Sequence, residues 1–174
     1  MDDTHLERVL IGGRERREIV IAGYDPAWPE RFEVERARIA AVLGERALRI
    51  EHIGSTSVPG LAAKPIVDVL VEVASLDDAD RLERAGYVLR VREDGHRMFR
   101  TPELDVHIHV WPTGHPDIAA QLALRDRLRA SPEDRAAYEA LKRELATRDW
   151  PDMNHYAEAK SGLIREILGR AATG

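Results

Sequence analysis

The chain has 174 residues, 33% of them charged, and a formal net charge of −5. That length suits a single domain over residues 1–174, large enough to bury about 70% of its unfolded surface. The absence of cysteine excludes disulfides and thiolate metal sites; the acidic balance disfavours general nucleic-acid binding; no apolar run approaches the roughly 20 residues of a membrane span, so a soluble cytoplasmic protein is the default.

Residues 1–16 are polar and arginine-rich, with a turn at Gly12-Gly13, and read as a mobile arm or an edge hairpin. Glu18 to Ala22 reads as a strand and Gly23-Tyr24-Asp25-Pro26 as a turn. An amphipathic helix follows, with Trp28, Phe32, Ile39 and Leu43 at near-helical spacing and Gly44 closing it. Strands at 47–53 and 65–73 flank a Gly-Ser loop. A short helix over 76–85 ends at Gly86, and Tyr87 to Val91 begins a strand that turns at Glu93-Asp94-Gly95 into 96–100. Leu104 to Trp111 alternates strongly, as a strand does. Three helical patterns complete the chain, at 116–130, 132–147 and 153–169, with Pro132 and Pro151 where helix starts are expected. The layout predicts an α/β (α+β) fold, a mixed sheet with flanking helices and an all-helical C-terminal third.

Two strands carry the candidate chemistry. In 65–73, Asp68, Leu70 and Glu72 share one face and the valines share the other. In 104–111, Asp105, His107, His109 and Trp111 oppose Leu104, Val106, Ile108 and Val110. If the strands are neighbours, Asp68 faces the side of His107 and His109, a cluster suited to a divalent metal or to a base near neutral pH. The loop Gly54-Ser55-Thr56-Ser57 offers backbone N–H groups and hydroxyls, as phosphate-holding loops do. Lys64, Lys142 and Lys160 are the only lysines, every other basic side chain apart from histidine being arginine. They and Arg125, one turn from Arg129, are candidate counter-charges for phosphate or carboxylate. Tyr156-x-x-x-Lys160 has the spacing seen in short-chain dehydrogenases, but no Gly-x-Gly-x-x-Gly follows an early strand, which removes a nicotinamide reading. A histidine-triad hydrolase would need a third alternating histidine, where Asp105 or Trp111 stands.

The run from Glu51 to Asp68, EHIGSTSVPGLAAKPIVD, resembles the hallmark of the GrpB family. The likeness extends from Tyr24-Asp25-Pro26-x-Trp28 through His107-x-His109-Val110 and Arg125-Asp126 to Tyr156-x-x-x-Lys160. It implies a nucleotidyltransferase-like fold and a family without a settled biochemical role, sometimes fused to dephospho-coenzyme A kinase. The wider superfamily uses a Gly-Ser turn, a strand with two acids separated by one residue, and a third acid nearby. Gly54-Ser55 and Asp68 match; Leu70 stands at the second acid, with Glu72 one pleat further on.

The expectation is an enzyme acting on a nucleotide or phosphorylated small molecule. Ser55 and adjacent amides would hold phosphate, and Asp68, His107 and His109 would act as catalytic or metal-binding residues for Mg²⁺, Mn²⁺ or Zn²⁺, histidine favouring the latter two. Asp105 is a further candidate to complete the site. The alternative is a non-catalytic nucleotide- or coenzyme-binding module that assists a partner's folding.

Overall fold

The computed structural model describes residues 3–172. Its strands are Ala47–Ile53 (β1), Val67–Val73 (β2), Val88–Glu93 (β3), His96–Arg100 (β4) and Val106–Pro112 (β5). They form one mixed sheet in the order β1-β2-β5-β4-β3, in which only β2 and β5 run parallel. The helices are Asp3–Val9 (α1), Trp28–Leu43 (α2), Arg81–Arg84 (α3), Pro116–Ala130 (α4), Pro132–Ala146 (α5), Met153–Glu158 (α6) and Ser161–Ala172 (α7). None of them is long and apolar enough to cross a membrane.

The period-2 pattern of β2 divides the packing. Val67, Val69, Val71 and Val73 bury their side chains beside Trp28, Phe32, Ile39 and Leu43 of α2 and Leu82 of α3. On the opposite face Leu70 packs with Ile53, Trp111 and Ile118 beneath α4. A third cluster joins Val58 and Leu61 of the β1–β2 connection to Leu128, Tyr138 and Ile167 of α4, α5 and α7. Helices α4, α5 and α7 are also tied by Asp134, whose buried carboxylate accepts from Arg127 at 2.6 Å and from Arg170 at 2.7 Å. The helical third therefore forms the roof over the Asp68 face of the sheet.

Several local expectations are corrected. The N-terminal segment forms no edge hairpin: residues 3–9 are helical because Leu6 and Val9 share a buried face, and only Leu10 bridges to Val91. Met1 and Asp2 lie outside the described residues. The strand expected at 18–22 reduces to one bridge, Ala22 with Ala63. Two residues further along that antiparallel register Val20 meets Pro65, which has no N–H to continue a ladder. The span 76–85 is a 3₁₀ turn over Leu76–Asp80 running into α3. The last predicted helix breaks at Ala159-Lys160 into α6 and α7, just ahead of the weak helix formers Ser161-Gly162. It starts after Asp152, which caps the amides of Asn154 and His155, and not at Pro151. Leu104 adopts a left-handed φ of 65°, so β5 begins at Val106 and the alternation fails at Asp105.

The vacant second-acid position thus has a packing role. Leu70 is fully buried in an apolar cluster, and an aspartate there would be an unpaired charge in a site shaped for an alkyl group. Leu70→Asp is expected to cost about 3 kcal/mol or more, read as a lowered urea midpoint. An unchanged midpoint would contradict this packing role.

Candidate functional site

The parallel register of β2 and β5 sets Asp68 opposite His107 and Leu70 opposite His109. Period-2 geometry turns Asp68 and both histidines to the roofed face. His107 Nδ1 and His109 Nε2 each lie 3.6 Å from the same oxygen, Asp68 Oδ1. One donor atom from each of the three residues falls within 4.8 Å of the others, a set able to hold a metal ion. Burial pushes the Asp68 carboxyl up, but hydrogen bonds and charge from His107 and His109 outweigh it and hold the group well below the usual carboxylate range.

The Gly54 backbone closes one side. Its φ of 69° and ψ of −174° belong to a region essentially reserved for glycine. A Cβ there would stand 2.5 Å from Asp68 Oδ2. Missing side-chain volume is therefore what lets the carboxylate lie against the turn, which continues as the 3₁₀ turn Ser55–Ser57. The turn is braced from behind. Ser57 donates its hydroxyl to the Gly54 carbonyl at 2.6 Å, and Thr56 Oγ1 lies 3.0 Å from His52 Nε2. His52 stacks on Phe32 with centroids 4.8 Å apart, and burial pushes its imidazole down to about 4.

Behind the histidines stands a second layer. His96 Nε2 is 3.2 Å from His109 Nδ1, and His96 Nδ1 is 3.1 Å from Glu93 Oε1. Burial, reinforced by His109, pushes His96 down to about 4, so it is neutral at pH 7. A neutral His96 that donates through Nδ1 to Glu93 presents its Nε2 as an acceptor to His109 Nδ1, so His109 Nε2 is the ring atom turned to Asp68. That is the outer-shell hydrogen bonding that orients metal-bound imidazoles. Stacking on Trp111, 4.9 Å from His96 and 5.5 Å from His109, fixes both rings.

The cluster opens into a cavity of about 450 Å³ whose lining includes Gly54, Ser55, Tyr138, Tyr156 and all three lysines of the chain. Lys64 and Lys160 lie over the Tyr156 ring at 5.0 and 4.7 Å from its centroid, and Lys142 lies 5.1 Å from that of Tyr138. Burial, with repulsion from Lys160, pushes Lys64 down to about 8 and Lys142 to about 7; burial also lowers Lys160. The phenols of Tyr138 and Tyr156 are raised to about 12 by burial and stay protonated. The Tyr156 hydroxyl is buried and has no hydrogen-bond partner.

Of the residues expected at the site, Asp68, His107, His109, Gly54, Ser55, Lys64, Lys142 and Lys160 line this cavity. Lys142 also donates to the Ala62 carbonyl, so part of its role is to tie α5 to the β1–β2 connection. Thr56 and Ser57 do not line it; their hydroxyls are spent on His52 and Gly54. Arg125 lies outside it, paired with Glu51 and Asp126 at 2.8 Å each, and Arg129 donates to the Ser57 carbonyl. Glu72 supplies no further ligand, being held by Arg49 at 3.3 Å. Nor does Asp105: past the Leu104 kink it accepts from Thr101 at 2.6 Å and pairs with Arg31 at 3.2 Å. Tyr138 reads as plain core from its helical spacing, and His96 gives no signal at all until β4 is paired with β5. The one clue in composition was the rarity of lysine.

A mixed sheet with this strand order, a Gly-Ser turn after the edge strand and an acid on the next strand define a nucleotidyltransferase-like fold. The Cid1 poly(U) polymerase shares it, with a TM-score of 0.51 at 13% identity over 83% of this chain and 46% of that one. The chain belongs to the GrpB family, whose model matches residues 18–170. The crystal structure of GrpB from Enterococcus faecalis superposes with a TM-score of 0.76 at 36% identity, covering 87% of this chain and 96% of that one. A UPF0157 protein of Streptomyces coelicolor is 51% identical over 166 residues, 93% of this chain and 89% of its own. A dephospho-CoA kinase of Mycolicibacterium paratuberculosis is 31% identical over 84% of this chain but only 44% of its own length.

Two substitutions probe this geometry. Gly54→Ala is expected to lower stability by about 1–3 kcal/mol through backbone strain and to displace Asp68, seen as a lowered thermal midpoint with weakened metal binding. His96→Phe keeps an aromatic ring in the stack but removes the acceptor for His109. It should weaken Mn²⁺ or Zn²⁺ binding by about 10- to 100-fold in calorimetric titration; wild-type affinity would show that His96 does not orient His109.

Proposed function

We propose that this cavity binds the phosphates of a nucleotide or phosphorylated small molecule and that the protein transfers a phosphoryl or nucleotidyl group from it. The observation that carries the reading is the gathering of every lysine in the chain around the Asp68–His107–His109 cluster. In a chain whose other Lys/Arg positions are all arginine, three ammonium groups gathered in one cavity, Lys142 buried and Lys64 and Lys160 half-buried, are costly without an anion beyond Asp68 to face. Beyond the Asp68 carboxylate, Lys64 and Lys160 face the Tyr156 ring, and the buried Tyr156 hydroxyl has no acceptor among the described residues. A phosphate group would satisfy all three.

Two imidazoles and one carboxylate suit Zn²⁺ or Mn²⁺ better than Mg²⁺, which prefers oxygen ligands. When bound, such an ion supplies a Lewis acid that neutralises charge on a phosphoryl oxygen. The chain's own part is positional and electrostatic. Ser55 and the leading amides of its turn hold phosphate oxygens, the lysines offset charge that grows during transfer, and the roof of α4–α7 limits water. A second reading, a binding module without turnover, is favoured by one feature: Leu70 is buried and Glu72 is paired, so a single carboxylate serves the cluster. The likeness of a dephospho-CoA kinase to this chain makes coenzyme A precursors natural ligands to try. Product formation from nucleoside triphosphates with Mn²⁺ would exclude the module; binding without turnover in any metal would exclude the enzyme.

Asp68→Ala and His107→Ala are each expected to abolish the rise in Tm that Mn²⁺ with a nucleoside triphosphate gives the wild type; if both variants respond like wild type, the site assignment is wrong. The lysines give a pH signature. In the free protein Lys64 and Lys142 lose their protons near 8 and 7. Lys64 is faced by Lys160 and Arg17, which favour the loss, and by Asp68, which opposes it. A bound anion favours the charged forms, so binding above these values must take up protons. Affinity for sulfate, whose own charge is constant in this range, should fall between about pH 7 and pH 9, by at most about tenfold per unit for each lysine. Calorimetry in buffers of different ionisation enthalpy should record the uptake; pH-independent affinity would remove the lysines from the anion site.

A further inference from the structure

The cavity does not end at the cluster. Lys64, Ile66, Met98, His107, Met153 and Asn154 form a wall whose other side belongs to a second chamber, also of about 450 Å³. Residues 15–20 form no strand, and Glu15, Arg17, Glu18 and Val20 make one side of this chamber together with Pro65. Leu10, Val20, Pro65, Val91 and Leu104 make its remaining apolar surface, and no phenylalanine, tyrosine or tryptophan lines it. An aliphatic body fits such walls, whereas a nucleobase would find only the His107 imidazole of the shared wall to stack on.

Its charged side is built around one carboxylate. Glu15 accepts two parallel hydrogen bonds from Arg100 at 2.8 Å each, one from Arg17 at 2.5 Å, and lies 3.5 Å from Arg90. Arg90 is itself buried, at 6% exposure, and donates to the carbonyls of Ile11 and Gly13. The Arg100 hydrogen bonds hold Glu15 down to about 2, so it is ionised throughout the neutral range. Three guanidinium groups against one carboxylate leave two positive charges in excess on this wall. Asp105 is neutralised by Arg31, and Glu18 and Glu103 are exposed at the rim, where water screens them.

We propose that this second chamber holds the acceptor of the transfer: a small aliphatic molecule whose carboxylate or phosphate monoester faces Arg17 and Arg100 and whose hydroxyl or amine faces the His107 wall. The inference rests on the reading of the first cavity as a phosphate site. In the transfer, the acceptor's oxygen or nitrogen forms a bond to phosphorus while the bond from phosphorus to the departing phosphate breaks. The leaving phosphate carries off the electron pair and takes the acceptor's proton. His107 lines both chambers, which places the reacting atoms beside the metal-binding cluster.

The test uses the whole chain with tripolyphosphate and Mn²⁺ as probe of the first chamber. Hexanoate and hexyl phosphate probe the second, with hexanol as neutral control. Binding is followed by calorimetry and saturation-transfer NMR. At least one hexyl anion should bind tenfold or more tightly than hexanol, without displacing tripolyphosphate, and the better of the two identifies the anionic group. Val20→Trp, at a position that lines the second chamber and not the first, should weaken that anion at least tenfold and leave tripolyphosphate within twofold; Arg17→Ala, which also removes a charge facing Lys64, should weaken the hexyl anion at least tenfold. Val20 is 53% exposed, so its substitution leaves the core intact. Lys160→Ala should do the reverse. Hexyl anions that bind no better than hexanol, that ignore both substitutions or that compete with tripolyphosphate overturn the acceptor chamber alone. Binding of a hexyl anion without any binding of tripolyphosphate overturns the phosphate reading of the first cavity, and the acceptor role with it.

Discussion

The parallel pairing of β2 with β5 is the constraint on which the site depends. Antiparallel neighbours reach each other through a tight turn, but parallel ones need a long crossover. Here that crossover carries α3 and the β3–β4 hairpin, and the hairpin returns to pair β4 against β5. One topological choice therefore does two things. It sets Asp68 beside His107 and His109, and it delivers His96 to the far side of His109. The apolar faces of both strands lie in one buried cluster with α2, so a slip of one residue would expose the core and scatter the cluster together. The geometry of the polar residues is held by the hydrophobic ones that alternate with them.

The turn at Gly54 works by subtraction. A carboxylate packed against backbone is usually kept away by a Cβ, and glycine removes it at a backbone conformation few other residues tolerate. The hydroxyls around that turn divide the labour. Thr56 and Ser57 look inward and stiffen it, while Ser55 faces the cavity. Three adjacent hydroxyl-bearing residues thus have two structural members and one exposed to ligand, a division that spacing alone does not reveal.

Much of this was legible in the chain. Alternation in 67–73 and 106–111 was strong because each strand buries one face in the cluster it shares with α2, and the Glu51–Asp68 run was distinctive enough to carry the fold. What failed did so for nonlocal reasons. Asp105 follows the period-2 pattern on paper, but a left-handed Leu104 turns it toward Arg31. Residues 18–22 have the apolar content of a strand and lack only a neighbour with N–H groups to offer. Arg125 and Arg129 have the spacing of an anion clamp, yet both are consumed by Glu51, Asp126 and backbone carbonyls. In each case the partner that decides the role lies elsewhere in the chain, where no local window reaches it.

The charge balance gives the site a logic that differs from a carboxylate-rich one. Two imidazole ligands and one carboxylate would leave a bound divalent ion with net positive charge, where a pair or trio of acids would neutralise it. Adding three fully charged lysines to the same cavity would create strong mutual repulsion. The fold avoids this by burial, which lowers all three lysines and brings Lys142 and Lys64 to about 7 and 8. Their charge is therefore partly conditional: on the proposed function, an entering anion would restore what burial weakens. A polyanionic ligand would then supply the negative charge that additional acids would otherwise contribute, leaving Leu70 to serve the core. On this argument the missing acid and the gathered lysines are one adaptation, in which part of the site's electrostatic complement arrives with the ligand.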